Sequence, residues 1–130
     1  MRFRGRGLVE GKARGEALVV RGPISFLGDV DPRTGELRDG TGRSVAGRIL
    51  VFESGRGSTV GSYVIYALAE NGVAPKAMIV LRAEPIIVTG CVLAGIPLVD
   101  RVPKQILETT RDGDLIEVDA YRGEVIVHQG

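Results

Sequence analysis

The fold is decided by residues 48–63, which read RILVFESGRGSTVGSY. Residues 48–52 form a continuous apolar run, a pattern typical of a strand that is buried on both faces of a sheet. A glycine-rich turn follows, and residues 59–70 then place apolar side chains at three- and four-residue spacing, which predicts an amphipathic helix. Ser58 is a plausible N-cap, and Asn71-Gly72 supplies a stop. A buried strand that passes through a glycine-rich turn into a helix indicates an α/β domain.

The flanking segments predict further strands and helical turns around this unit. Strands are expected at residues 15–20, 76–81 and 96–99, a second short apolar piece at 24–27, a helical turn at 103–110, and a hairpin with arms 115–120 and 124–128 at the sheet edge. Residues 86–95 fit either a short helix or a turn. Residues 28–47 read as a long loop, and loops of that length tend to be functional or poorly ordered. We expect one mixed α/β domain over residues 1–130, with no internal linker.

The composition argues against several classes of partner. Seventeen basic and sixteen acidic residues leave a formal charge of +1, which gives no bulk electrostatic reason to bind nucleic acid or a membrane surface. The arginines at positions 2, 4 and 6 favour a solvated tail rather than a nucleic-acid arm. No apolar run is long enough for a membrane span, and no apolar segment of a signal peptide follows the N-terminus. We therefore expect a cytoplasmic location.

Cysteine and histidine each occur once. A lone Cys91 excludes an internal disulfide, and this chain by itself cannot hold a thiolate zinc site or an iron–sulfur cluster. Cys91 lies in an apolar run and is expected to be a small buried hydrophobe, while His128 is expected at the surface. Because His128 stands two residues from the end, a Ser–His–Asp or Cys–His site is not expected within the chain. Part of any chemistry should therefore belong to a partner.

The glycine-rich turn has the features of an anion site. Glycines allow close approach of the backbone, and the free N–H groups at a helix N-terminus attract negative charge. Arg56 adds a planar donor for phosphate or carboxylate, and hydroxyls at 58, 59 and 62 stand nearby. The spacing fits neither a P-loop nor a nucleophile elbow. From the residues alone, a capped strand–turn–helix connection without a ligand stays an equal alternative.

Several longer motifs carry a family resemblance. Residues 24–36 (ISFLGDVDPRTGE), 55–63 (GRGSTVGSY) and 71–77 (NGVAPKA) resemble the signatures of aconitase X small subunits. Residues 83–87 (AEPII) and 95–99 (GIPLV) extend the resemblance, which covers about residues 15 to 100. Asp29 departs from the pattern, in which a glycine is expected, and residues 38–43 are divergent.

The resemblance implies a swivelling β/β/α domain similar to the mobile domain of aconitase. Such a domain closes over a large subunit that holds a 4Fe–4S cluster through its own cysteines, and the chain alone is expected to be inactive and to bind no metal. The heterodimer of this family dehydrates mevalonate 5-phosphate to trans-anhydromevalonate 5-phosphate in the archaeal mevalonate pathway. By motif, the catalytic base falls on Ser62. Arg56, Gly57, Ser58 and Thr59 are expected to bind the phosphorylated substrate.

Three alternatives remain open at this point. The base could be Ser58 instead of Ser62, because both hydroxyls stand near the start of the helix. The chain could be a non-catalytic swivelling module that presents an anion to a partner. It could also belong to an aconitase X that acts on another small hydroxy acid.

Overall fold

The computed structural model describes residues 1–129, which form eight strands and four short helices. The strands are β1 (Arg2–Arg4), β2 (Arg6–Val9), β3 (Lys12–Val20), β4 (Ile49–Ser54), β5 (Ala77–Arg82), β6 (Leu98–Asp100), β7 (Leu115–Asp119) and β8 (Glu124–His128). The helices are α1 (Phe26–Asp29), α2 (Gly61–Glu70), α3 (Pro85–Ala94) and α4 (Gln105–Thr109). The described strands form a sheet in the order β1-β8-β7-β3-β4-β5-β6-β2, so the predicted α/β class is confirmed.

Parallel strands form the centre of the sheet. Strand β4 pairs in parallel with β3 and β5, so that Leu50 stands between Leu18 and Met78, and β5 pairs in parallel with β6. The first four residues of β4 are buried, as the apolar run predicted. Helices α2 and α3 are the crossover connections from β4 to β5 and from β5 to β6. Residues 86–95, which fitted a helix or a turn, lie mostly in α3.

The N-terminal strands close the sheet on itself. Strands β1 and β2 stand at opposite ends of the strand order, yet only Gly5 separates them along the chain. Strand β1 pairs antiparallel with β8, and β2 pairs antiparallel with β6. The Gly5 N–H donates to the Gly123 carbonyl at 2.8 Å. The chain itself therefore joins the two edges.

Two sequence predictions fail at this closure. The expected solvated tail is wrong, because Phe3 is buried between exposed Arg2 and Arg4 and the segment pairs with β8. The side chain of Arg6 donates to both carboxylate oxygens of Asp100 at 3.0 Å. The C-terminal hairpin itself is confirmed, but its place at the sheet edge is wrong, because β1 covers β8.

Alternate side chains of the central strands fill two cores. Ile49 and Val51 of β4 face the core that the closed sheet surrounds, together with Phe3. Leu50 and Phe52 face the core under the helices. The helix-side core also contains three residues of the long loop: Val30, Leu37 and Val45. Residues 28–47 are thus largely irregular, as predicted, but are packed onto the sheet.

Smaller differences concern element boundaries. Strand β3 begins at Lys12, three residues before its predicted start, because β7 pairs with its first half. The apolar piece at 24–27 divides in two: Ile24 forms a parallel bridge with Gly55, and Phe26 begins the one-turn helix α1.

Candidate functional site

The glycine-rich loop follows β4 and leads directly into α2. Helix α2 begins at Gly61 and not at Thr59, because the Gly61 N–H donates to the Ser58 carbonyl at 2.9 Å and the Ser62 N–H to the Thr59 carbonyl at 3.2 Å. Such i to i+3 bonds make a tight turn before the helix. Ser58 is therefore not the N-cap that was predicted: its hydroxyl accepts the Val60 N–H at 3.1 Å, within the turn that precedes the helix.

Backbone hydrogen bonds hold the beginning of this loop against residues 22–24. The Ile24 N–H donates to the Ser54 carbonyl at 2.9 Å, and the Arg56 N–H donates to the Ile24 carbonyl at 3.0 Å. The Glu53 N–H also donates to the Gly22 carbonyl, at 3.2 Å. The path of the loop is thus fixed by a segment about thirty residues earlier in the chain.

Gly57 allows the loop to pass close to Ser25. Its φ is +88°, a conformation that residues with a side chain rarely adopt. A Cβ atom at this position would lie 2.6 Å from the Ser25 hydroxyl oxygen. Position 57 therefore requires a glycine for two reasons: its positive φ and the close approach of Ser25.

Backbone N–H groups along the loop are available to a ligand. Gly57, Ser58 and Thr59 are exposed, and within residues 1–129 their N–H groups have no acceptor. Successive free N–H groups next to a left-handed residue form a concave site that favours anions. The predicted binding residues 56–59 therefore form one exposed segment just before the start of α2.

The side chain of Arg56 is oriented by Asp29. One terminal nitrogen of Arg56 lies 3.3 Å from the Asp29 carboxylate, and 56% of the side chain is exposed. The same carboxylate oxygen accepts the Ser25 N–H at 2.8 Å. Within the described part of the chain, the other guanidinium N–H groups have no acceptor, so they remain available to an anion.

Ser62 lies at the contact between α2 and α3. Its residue is 7% exposed, and its hydroxyl donates to the Ile86 carbonyl at 2.8 Å. A hydroxyl that donates to a carbonyl is held in its neutral form. To act as a base, Ser62 would first have to release its own proton, and with that proton it would lose the hydrogen bond to Ile86. Ser58, by contrast, is exposed.

Exposed apolar side chains stand next to the loop. Val60 is 45% exposed and Tyr63 is 68% exposed, directly before and after the first two residues of α2. Leu27 of α1, a helix that contacts α2, is 48% exposed. Sequence reasoning missed this feature, because Val60 falls within the predicted amphipathic helix at 59–70 as one of its apolar residues at helical spacing.

Cys91 does not fit the role of a cluster ligand. It is fully buried, its thiol lies 3.6 Å from the Met78 sulfur, and burial raises the pKa of the thiol to about 12. The predicted small buried hydrophobe is confirmed. Within residues 1–129, no group of three or more His, Cys, Asp or Glu side chains could hold a metal ion.

His128 lies at the surface, as predicted. Its Nε2 atom lies 2.7 Å from a carboxylate oxygen of Glu117, and this contact lowers the pKa of that carboxyl. Both side chains are about half exposed. They lie on the hairpin strands β7 and β8, and not on the loop or on α2. The histidine therefore has a partner that accounts for it without catalysis.

None of the helices in the described part of the chain is both long and apolar enough to cross a membrane.

Comparison with known proteins agrees with this geometry. The family model "Aconitase X swivel domain" matches residues 2–127. A protein of Thermococcus sibiricus, named phosphomevalonate dehydratase small subunit, is 52% identical over 99% of this chain and 100% of its own length. A protein of the same name from Thermococcus kodakarensis is 54% identical over 96% of this chain and 95% of its own length.

Solved structures agree as well. The crystal structure of Thermococcus kodakaraensis aconitase X in its holo form contains a chain with a TM-score of 0.92 and 50% identity, covering 99% of both chains. The family model and the identity extend over the closed sheet, the loop at 55–60 and the helices that follow it. The chain therefore belongs to the aconitase X swivel-domain family.

Proposed function

We propose that this chain is the small subunit of a phosphomevalonate dehydratase. The reaction removes water from mevalonate 5-phosphate and gives trans-anhydromevalonate 5-phosphate, in the archaeal mevalonate pathway. The observation that carries the proposal is identity of about half the residues over the full chain to relatives of that name, 52% over 99% of the chain in one case.

A larger subunit of the aconitase X type completes the enzyme. The name of the relatives, "small subunit", implies such a partner. Exposed apolar side chains beside the loop, Leu27, Val60 and Tyr63, support a docking face on this side of the domain. The heterodimer would then enclose the substrate between the loop and the large subunit.

The 4Fe–4S cluster that the resemblance implies is assigned to the large subunit. The single thiol of this chain, Cys91, is buried and does not fit a cluster ligand. The cytoplasmic location expected from the sequence remains a prediction.

Residues 56–59 would bind the phosphate of the substrate. The N–H groups of Gly57, Ser58 and Thr59 donate without any rearrangement of the loop, because Gly57 already has a positive φ. Arg56 adds charge-assisted hydrogen bonds from a guanidinium that Asp29 holds near the loop. These contacts orient the substrate and fix the distance between its anionic group and α2.

Ser62 is the proposed proton acceptor. A serine hydroxyl is a weak base, so the reaction requires groups that stabilise negative charge on its oxygen. The N-terminal end of α2 contributes such a field at the second residue of the helix. The bond to the Ile86 carbonyl places the hydroxyl. Before the reaction the hydroxyl would release its own proton to water and lose this bond, and the resulting alkoxide would accept the substrate proton. Ser58 remains the alternative base.

A non-catalytic role is the second candidate, and one observation favours it. Ser62 is buried, with 7% of the residue exposed, and its hydroxyl already donates to a carbonyl, as the hydroxyl of a purely structural serine would. In that case the domain would bind an anion and close over the partner, and the large subunit would supply the base.

Reconstitution with the large subunit tests the proposed function. Mevalonate 5-phosphate, unphosphorylated mevalonate and a small hydroxy acid without phosphate are supplied in turn, and the alkene product is measured by mass spectrometry. We expect dehydration of the phosphorylated substrate only. Equal turnover of a hydroxy acid without phosphate would show that the enzyme acts on another class of substrate. The loop at 56–59 would then not be a phosphate-binding site.

A further inference from the structure

The hydroxyl of Ser25 lies beside the loop at Gly57. It lies so close to Gly57 that a Cβ atom there would be 2.6 Å from the Ser25 oxygen. Ser25 is partly exposed, and within residues 1–129 its hydroxyl has no hydrogen-bond partner. Although Ser25 precedes α1, its hydroxyl does not cap that helix.

The backbone of Ser25 is nevertheless held firmly. Its N–H donates to the Asp29 carboxylate at 2.8 Å, and its carbonyl accepts the Asp29 N–H at 2.7 Å. This reciprocal pair resembles a capping box, in which an acidic side chain returns to the N–H before the helix. The neighbouring Ile24 is paired with Gly55 of the loop. Ser25 therefore keeps a fixed position relative to the loop.

We propose that Ser25 is a further substrate-binding residue, whose hydroxyl donates a hydrogen bond to an anionic oxygen of the substrate. The inference rests on the proposed function and extends the binding site beyond residues 56–59. A polar hydroxyl that is fixed beside three free N–H groups and makes no bond of its own is suited to a ligand. Asp29 accepts hydrogen bonds from Arg56 and from the backbone N–H of Ser25, so one carboxylate holds both the guanidinium and the Ser25 backbone near the loop.

The test compares Ser25→Ala with Ser44→Ala in the reconstituted complex. Ser44 is a matched control, because its hydroxyl already donates to the Thr34 carbonyl at 3.2 Å and accepts the Ala46 N–H at 3.1 Å. Loss of a hydrogen bond to a charged group corresponds to roughly a ten- to hundredfold weaker affinity. We expect Ser25→Ala to raise KM for mevalonate 5-phosphate by about tenfold or more, with an unchanged melting temperature. Ser44→Ala should lower the melting temperature and leave KM unchanged.

Inhibition by inorganic phosphate and by acetate identifies the group that Ser25 contacts. If Ser25→Ala raises the inhibition constant of phosphate relative to the wild type, the Ser25 hydroxyl contacts the phosphate of the substrate. If it raises the inhibition constant of acetate instead, the hydroxyl contacts the carboxylate. Unchanged KM and unchanged inhibition constants for both anions in Ser25→Ala would overturn the inference while the proposed function stands. An inactive wild-type complex would instead contradict the proposed function itself.

Discussion

Replacing Ser62 with alanine separates a catalytic from a structural role. The structural loss is one hydrogen bond, from the Ser62 hydroxyl to the Ile86 carbonyl at 2.8 Å. A typical buried hydrogen bond contributes about 1 kcal/mol, and for a domain of this size that corresponds to a fall of roughly 3–5 °C in melting temperature. A removed general base costs about two to four decades in turnover. The two roles therefore predict effects of very different size.

Ser58→Ala is the matched control. Its hydroxyl accepts the Val60 N–H at 3.1 Å in an exposed turn, where water can replace it. We expect a loss of at most about 1 kcal/mol in stability and a nearly normal turnover. Both variants are assayed in the reconstituted complex by initial rates at saturating substrate, with melting temperatures measured by calorimetry.

The outcomes distinguish three assignments of the base. Loss of turnover by two or more decades in Ser62→Ala alone, with the complex intact, supports Ser62. Normal turnover in Ser62→Ala together with an inactive Ser58→Ala would refute the reasoning and make Ser58 the base. Normal turnover in both variants would place proton removal in the large subunit and reduce this domain to a lid.

The remaining predictions concern binding, burial and packing. Arg56→Ala should raise KM about ten- to hundredfold, and an unchanged KM would restrict Arg56 to its contact with Asp29. Cys91, with a thiol pKa of about 12, should not react with a thiol reagent at pH 8 in the folded protein but should react in guanidinium chloride; rapid labelling of the native chain would contradict its burial. Gly90→Ala should destabilise the fold by about 1–3 kcal/mol, because the new Cβ would lie 2.6 Å from Cδ1 of Ile65; an unchanged denaturation midpoint would show that α2 and α3 can separate.

Local patterns sufficed for the centre of the fold and for the loop. The apolar run at 48–52, the helical spacing after it and the alternation in the hairpin are all properties of adjacent residues, and each predicted its element. The start of α2 was misplaced by two residues, because Thr59 and Val60 form a tight turn whose hydrogen bonds the spacing does not reveal.

Contacts between distant residues could not be predicted. Strand β1 alternates exposed and buried residues, but three residues with two arginines resemble a tail until β8, more than a hundred residues later, provides a partner. The approach of Ser25 to Gly57 depends on the pairing of Ile24 with Gly55, which no sequence spacing indicates. The orientation of Arg56 by Asp29 was missed for the same reason.

The most direct test of the shared active site is a titration of this chain into the purified large subunit. Dehydration of mevalonate 5-phosphate is followed at each ratio and in each subunit alone. We predict no turnover from either subunit separately and a rate that rises to saturation at one small subunit per large subunit. Turnover by either subunit alone, or no turnover at any ratio, would contradict the account.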